Sequence, residues 1–218
     1  MLFVLGFLGM TSPLASDMYL SSFTEIQQDL MSTASQVQLT LTTFLLGMGL
    51  GQLFLGPLSD RFGRRPVLLT ALVVFTVSSI ACIVSPSIWF FIILRTLQGL
   101  SGAACVVLSN AIAADLTKGP DTVRALSLIA MTVGLGPVIA PMIGAGVGAF
   151  FGWRGVLAAL ALLASLMLLL AWFVIPESLP KKDRHAGGIA TTFKNMGGIT
   201  KDGRFMLLVV IFACAFGG

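Results

Sequence analysis

Charge is scarce in this chain: among 218 residues, 13 Lys and Arg and 9 Asp and Glu make up 10%, against roughly 25% in an ordinary soluble domain. With 56% hydrophobic residues and a mean hydropathy of +0.98, a globular fold surrounded by water is excluded. Histidine is reduced to His185, which stands in a charged stretch without carboxylates or thiols at ligand spacing, so no metal site is expected. Cys82, Cys105 and Cys214 each lie inside an apolar run with no pairing pattern and read as small buried hydrophobes without a redox role. Gly-x-Ser-x-Gly, His-Glu-x-x-His and phosphate-cradling glycine loops are all missing, which argues against an intramembrane enzyme and against an ATP-driven pump.

Long apolar runs are what the chain does have. They lie near 2–24, 38–58, 67–85, 89–114, 125–150 and 155–175, each close to the ~20 residues a helix needs to cross ~30 Å of hydrocarbon. A seventh run, 205–218, is about 14 residues or roughly 21 Å of helix and is expected to be only the start of a span. The runs are continuous rather than alternating, which excludes a membrane barrel and predicts a helical bundle in a lipid bilayer. A cleavable signal peptide over 1–16 is the alternative for the first run, but a basic leader is missing and Ser12, Ser16 and Asp17 interrupt the pattern.

Basic residues fall on one side. Arg61, Arg64, Arg65, Lys118, Arg124, Lys181, Lys182, Arg184, Lys194, Lys201 and Arg204 share it, while the other side carries Glu25, Asp29 and Arg154. The positive-inside rule makes the first side cytoplasmic and places the N-terminus inside, in a multi-pass protein of the cell membrane. The net charge of +4 is thus a topology signal and gives no reason to expect nucleic acid. Residues 25–37 are expected as an outer loop, with Thr33-x-x-Gln36 or Ser35-x-x-Gln38 as a capping box for the second helix. Residues 115–124 form an inner loop. Residues 176–204, with Pro180, Lys181-Lys182 and Gly187-Gly188, read either as a linker between two halves or as a solvated tail.

Within this apolar frame, Gly56-Pro-Leu-Ser-Asp60-Arg61-Phe-Gly63-Arg64-Arg65-Pro66 is a basic turn with one acid and two glycines, more than a plain connector needs. Asp17 and Arg95 lie inside spans, where a charge costs roughly 2.5 to 3.5 kcal/mol or more and so pairs or lines a watery cavity. Both are expected ~9 to 10 Å below the outer edge, which suggests a pair or a shared cavity. Arg95, Gln98, Gly99 and Gly102 share one helix face. Span five carries Gly134, Gly136-Pro137, Pro141, Gly144, Gly146 and Gly148, the pattern of a kinked helix that packs closely, as a hinge, a seal or a static bend. Gly47 with Gly51, Gly99 with Gly102 and Ala103, and Gly144 with Gly148 allow close helix approach.

Together these residues resemble the major facilitator superfamily, and in particular its drug:proton antiporters of the bicyclomycin and chloramphenicol resistance branch. The cytoplasmic signature matches Gly56 through Arg65; the fourth-helix Arg-x-x-Gln-Gly matches Arg95, Gln98 and Gly99. The antiporter motif matches Gly136-Pro137 with Ala140-Pro141, and Asp-Met-Tyr-Leu matches Asp17 through Leu20, Tyr19 included. Ser21 and Ala114 depart from the branch, which commonly has proline and arginine there.

The resemblance implies an all-α membrane protein: a six-helix N-terminal half over 1–175, an interdomain linker over 176–204 and a truncated seventh helix over 205–218. It implies an exporter of small lipophilic drug-like molecules in exchange for protons, driven by the proton gradient with no cofactor, that works with a C-terminal half. Asp17, Tyr19, Arg95 and Gln98 would form the proton-coupling and substrate cavity. Gly56, Asp60, Arg61, Gly63, Arg64 and Arg65, with Asp115 as partner, would form a cytoplasmic latch. Gly136, Pro137, Pro141 and Gly144 would belong to the antiporter helix. The alternatives are a facilitator importing a small metabolite, and an inert membrane fragment.

Overall fold

A computed structural model describes residues 1–180 together with Arg184, Gly203 and Leu207. The rest of the expected linker and of the seventh helix, with His185 and Cys214, lies outside the described residues. Among the described residues every regular element is helical: α1 (Leu2–Asp17), a 3-10 turn (Leu20–Ser22), α2 (Phe23–Asp29), α3 (Ala34–Phe62), α4 (Arg64–Ile83), α5 (Ile88–Leu116) and α6 (Pro120–Val174). Of these, α3, α4, α5 and α6 are long and apolar enough to cross a membrane. The 16 residues of α1 reach about 24 Å.

The first run does not continue to residue 24. It breaks after Asp17, where Ser16 Oγ lies 3.1 Å from the Pro13 carbonyl and Ser21 Oγ donates to the Met18 carbonyl at 3.4 Å. Such hydroxyls offer the backbone an alternative to the helix ladder. The expected outer loop 25–37 narrows to 30–33, since α2 runs to Asp29 and α3 starts at Ala34 behind the Thr33 capping box: Gln36 N–H donates to Thr33 Oγ1 at 3.3 Å and Thr33 N–H to Gln36 Oε1 at 2.9 Å. The expected inner loop 115–124 shrinks to 117–119, since α5 runs to Leu116 and Pro120 opens α6, a position that needs no N–H.

Spans five and six form one 55-residue element, α6, broken at Gly152 with φ 67° and ψ −175°. That backbone is open to glycine and strained for other residues. Residues 132–143 and 160–167 line the same apolar groove with Phe7, Met10 and Leu14 of α1, so the two arms fold back on one another as a hairpin. The N–H of Trp153, which the break would leave without a helical partner, donates to Glu25 Oε2 at 2.9 Å.

Two apolar clusters fill the bundle. One gathers Met10, Leu14, Phe44, Phe75, Phe91, Trp153 and Leu160; the other gathers Leu5, Leu8, Leu68, Leu72, Leu108, Ile112 and Met167. Large apolar side chains such as Leu46, Val77, Ile93, Phe150 and Phe173 remain exposed, the surface that a hydrocarbon solvent covers at no cost. Helices α3 and α5 meet backbone to backbone. A methyl group at Gly47 or Gly51 would overlap the Thr96 or Leu100 carbonyl, and one at Gly99 the Phe44 carbonyl.

Candidate functional site: a caged arginine and an ion-pair cluster

Arg95 is fully buried. Its Nη1 donates to Gln98 Oε1 at 2.5 Å and its Nη2 to the Ala15 carbonyl at 2.9 Å, while Nε has no partner. The guanidinium lies 3.6 Å from the centre of the Tyr19 ring, 5.0 Å from Phe44 and 5.9 Å from Phe91. Ring faces are electron-rich and attract a cation most where water is excluded. Gln98 in turn donates to Ser79 Oγ at 2.7 Å, and the Tyr19 hydroxyl lies 3.1 Å from Thr40 Oγ1. Arg95, Gln98, Gly99 and Gly102 all turn inward, as their spacing predicts.

Among the described residues no ion pair joins Asp17 to Arg95. The reason is rotational. Ala15 and Tyr19, four residues apart, share the face that meets Arg95, and Asp17 lies about 200° away from Ala15 at 100° per residue. Asp17 is also the last residue of α1 rather than one well inside a span; it is half-buried, with Ser16 Oγ 2.7 Å from its Oδ1. The two charges therefore share a level but not a face.

At the α3–α4 joint the expected turn is a single residue. Gly63, with φ 107° and ψ 150°, alone separates the two helices, so Asp60 and Arg61 belong to the last turn of α3. Arg64 is the centre of the cluster. Its Nη1 meets Asp60 Oδ1 at 2.5 Å and Ser59 Oγ at 2.6 Å, and its Nε meets Asp115 Oδ2 at 3.2 Å. Arg61 is exposed over Phe62 and has no carboxylate partner among the described residues. Arg65 donates to the Trp172 carbonyl at 2.7 Å. Gly56 has room for a side chain, since an added methyl would lie 3.8 Å from Val107.

Glu177 and Ser178, read from sequence as linker, complete the cluster. Glu177 Oε1 accepts the Arg64 backbone N–H at 2.9 Å, its Oε2 pairs with Arg184 at 3.3 Å, and Ser178 donates to Asp115 at 2.9 Å. An acid directly after a span, in a chain with nine acids, was the available signal. Gly63→Ala is expected to lower stability by about 1–3 kcal/mol from backbone strain alone, with further loss because the methyl would overlap the Glu177 carboxylate. A melting temperature in detergent equal to that of the unaltered chain would show that the joint tolerates a side chain.

The opposite end carries a second polar corner. Trp153 Nε1 donates to Asp29 Oδ2 at 3.2 Å, Arg154 pairs with the same carboxylate, and Arg154 Nε donates to the Ile83 carbonyl at 3.1 Å. Glu25, Asp29 and Arg154, which stand out in the sequence only as sparse outer charges, thus bind α2 to the α6 break. In α6, Gly136, Ala140 and Gly144 are buried against α1: a methyl at Gly136 would crowd Pro13 and one at Gly144 would overlap the Met18 carbonyl. Pro137 is exposed and Pro141 partly so, away from that contact.

Comparison with known proteins places these features in a family. The model of the Major Facilitator Superfamily matches residues 5–218. The "Uncharacterized MFS-type transporter YdgK" of Bacillus subtilis is 38% identical over 99% of this chain and 54% of its own length. The "Bicyclomycin resistance protein homolog" of Haemophilus influenzae is 41% identical over 83% and 45%, and the "Chloramphenicol resistance protein" of Pseudomonas aeruginosa 37% identical over 76% and 40%. The chain therefore spans about half the length of the curated relatives it matches. The solved proton:xylose symporter XylE shares the fold, with a TM-score of 0.73 at 17% identity over 95% of this chain and 55% of that one.

Proposed function

The chain belongs to the major facilitator superfamily, and from that premise we propose that it serves a transporter exporting small lipophilic drug-like molecules in exchange for protons. Relatives named for bicyclomycin and chloramphenicol resistance support the substrate class. The observation that carries the coupling is the separation of Asp17 from Arg95: the guanidinium is held by rings, an amide and a carbonyl, which leaves Asp17 to exchange a proton for a cationic or polar substrate group.

In this reading α1, α3, α4, α5 and the two arms of α6 make six crossings, with the N-terminus and the α3–α4 joint cytoplasmic in the cell membrane. Arg64, Asp60 and Asp115 latch the cytoplasmic end, and the remaining length of a full transporter supplies the facing half of the cavity. For an uncharged drug a proton entering down ~100 mV yields ~2.3 kcal/mol, enough to bias export more than tenfold; exchanged one for one with a monovalent cationic drug, the proton moves no net charge and the pH gradient alone drives export. The test is drug accumulation in vesicles bearing this chain with and without a co-expressed second half. Asp17→Asn is expected to abolish proton-dependent accumulation of a cationic drug; retention of coupling in that variant would overturn the assignment.

A further inference from the structure

The hydroxyls next to the Arg95 cage have their protons committed elsewhere. Thr40 Oγ1 donates to the Val37 carbonyl at 2.6 Å and Ser79 Oγ to the Phe75 carbonyl at 2.7 Å, each on its own helix. A hydroxyl has one proton to give, so toward its other neighbour each can act only as an acceptor. Thr40 must receive the Tyr19 O–H, and Ser79 receives the Gln98 N–H. All four residues are buried to 1% exposure or less, shielded from bulk solvent.

We infer that Thr40 and Ser79 are positioning residues that set, from two further helices, α3 and α4, the directions of the Tyr19 and Gln98 hydrogen bonds beside Arg95. Because the Gln98 amide gives its N–H to Ser79, its Oε1 is the atom turned to the guanidinium; the flipped amide would set N–H against N–H. Because the Tyr19 phenol donates, negative charge drawn onto its oxygen enriches the ring face on which Arg95 lies, and the ring cannot turn off the cation without breaking the bond to Thr40. The arginine is thereby kept on its cage and off the Asp17 face of α1. The inference rests on the proposed transport role only for its effect on flux. The hydrogen-bond directions stand on the geometry alone.

Tyr19 is the one tyrosine of this chain, which gives a readout independent of transport. In ultraviolet resonance Raman spectra, with the Tyr19→Phe spectrum subtracted, the tyrosine Fermi doublet separates a donating phenol from one that donates nothing. The full-length protein is expected to show a donor, Thr40→Val to lose it and Thr40→Ser to restore it. Drug flux is expected to fall about fivefold in Thr40→Val and in Ser79→Ala, the loss of roughly one buried hydrogen bond, and to be retained in Thr40→Ser. A donor signature surviving in Thr40→Val, or a flux loss as large in Thr40→Ser, would overturn the inference. The expected Raman response with no proton-dependent flux in any variant would support the positioning role and overturn the transport reading.

Discussion

Arg95→Lys is expected to lower transport by one to two orders of magnitude although it preserves the charge. Arg95 uses a planar fork: one arm reaches Gln98, another the Ala15 carbonyl of α1, and the flat face covers the Tyr19 ring. An ammonium is a point donor that cannot span both acceptors while lying flat on a ring, and it is more strongly hydrated, so its burial costs more. Losing one hydrogen bond to a charged group in a dry site is worth about 1.5–3 kcal/mol, or roughly ten- to a hundredfold in rate. The measurement is initial flux per inserted protein, with insertion quantified by a fused fluorophore. Flux close to that of the unaltered protein would show that Arg95 acts through its charge alone, and the cage would then have no part in transport.

Gly99→Val is expected to cost even more at the level of folding. Carbonyls of α5 press on Gly47 and Gly51 of α3, and the Phe44 carbonyl of α3 presses back on Gly99. Overfilled cores usually cost about 1–3 kcal/mol because side chains can turn aside; here the opposing atoms are backbone, so the helices themselves must separate and about 3 kcal/mol or more is expected. Separation would also withdraw the Phe44 ring from Arg95, coupling the packing defect to the site. Helix α3 supplies the control. Gly49 has nothing within 4 Å of an added methyl, so Gly49→Ala should be neutral or mildly stabilising, by up to about 1 kcal/mol. Melting temperatures in detergent that fall equally for Gly99→Val and Gly49→Ala would show a generic glycine effect rather than a backbone contact.

Residue types and spacings revealed the elements that hydrophobicity dictates. The Arg95 face follows from local periodicity; the Thr33 cap was one of two candidates, and the spacing of Gly47 and Gly51 signalled close helix approach without identifying α5 as the partner. The end of α1 did not, because Met18 and Leu20 continue the apolar pattern and only local serine hydroxyl contacts accompany the break at Asp17. Nor was α2 legible, since its seven residues carry two acids and read as loop. Depth placed Asp17 and Arg95 on one level, but rotation was set by tertiary packing: burying Ala15 near the end of α1 and Tyr19 just beyond it turns Asp17 away. Glu177 was missed because its partner, the Arg64 N–H, lies 113 positions earlier. Thr40 and Ser79 carried no signal, being hydroxyl residues of a kind common in any membrane helix.

The proposed exchange of drug for protons carried by Asp17 has a direct readout. It is tested most directly by adding chloramphenicol or bicyclomycin to everted vesicles that hold an acidic-inside gradient, read by a quenched fluorescent amine, with this chain and a second half present. The drug is expected to dissipate the gradient, and Asp17→Asn to remove the response while insertion is unchanged. Drug uptake without any change in the gradient, or the same dissipation with asparagine in place of Asp17, would contradict it.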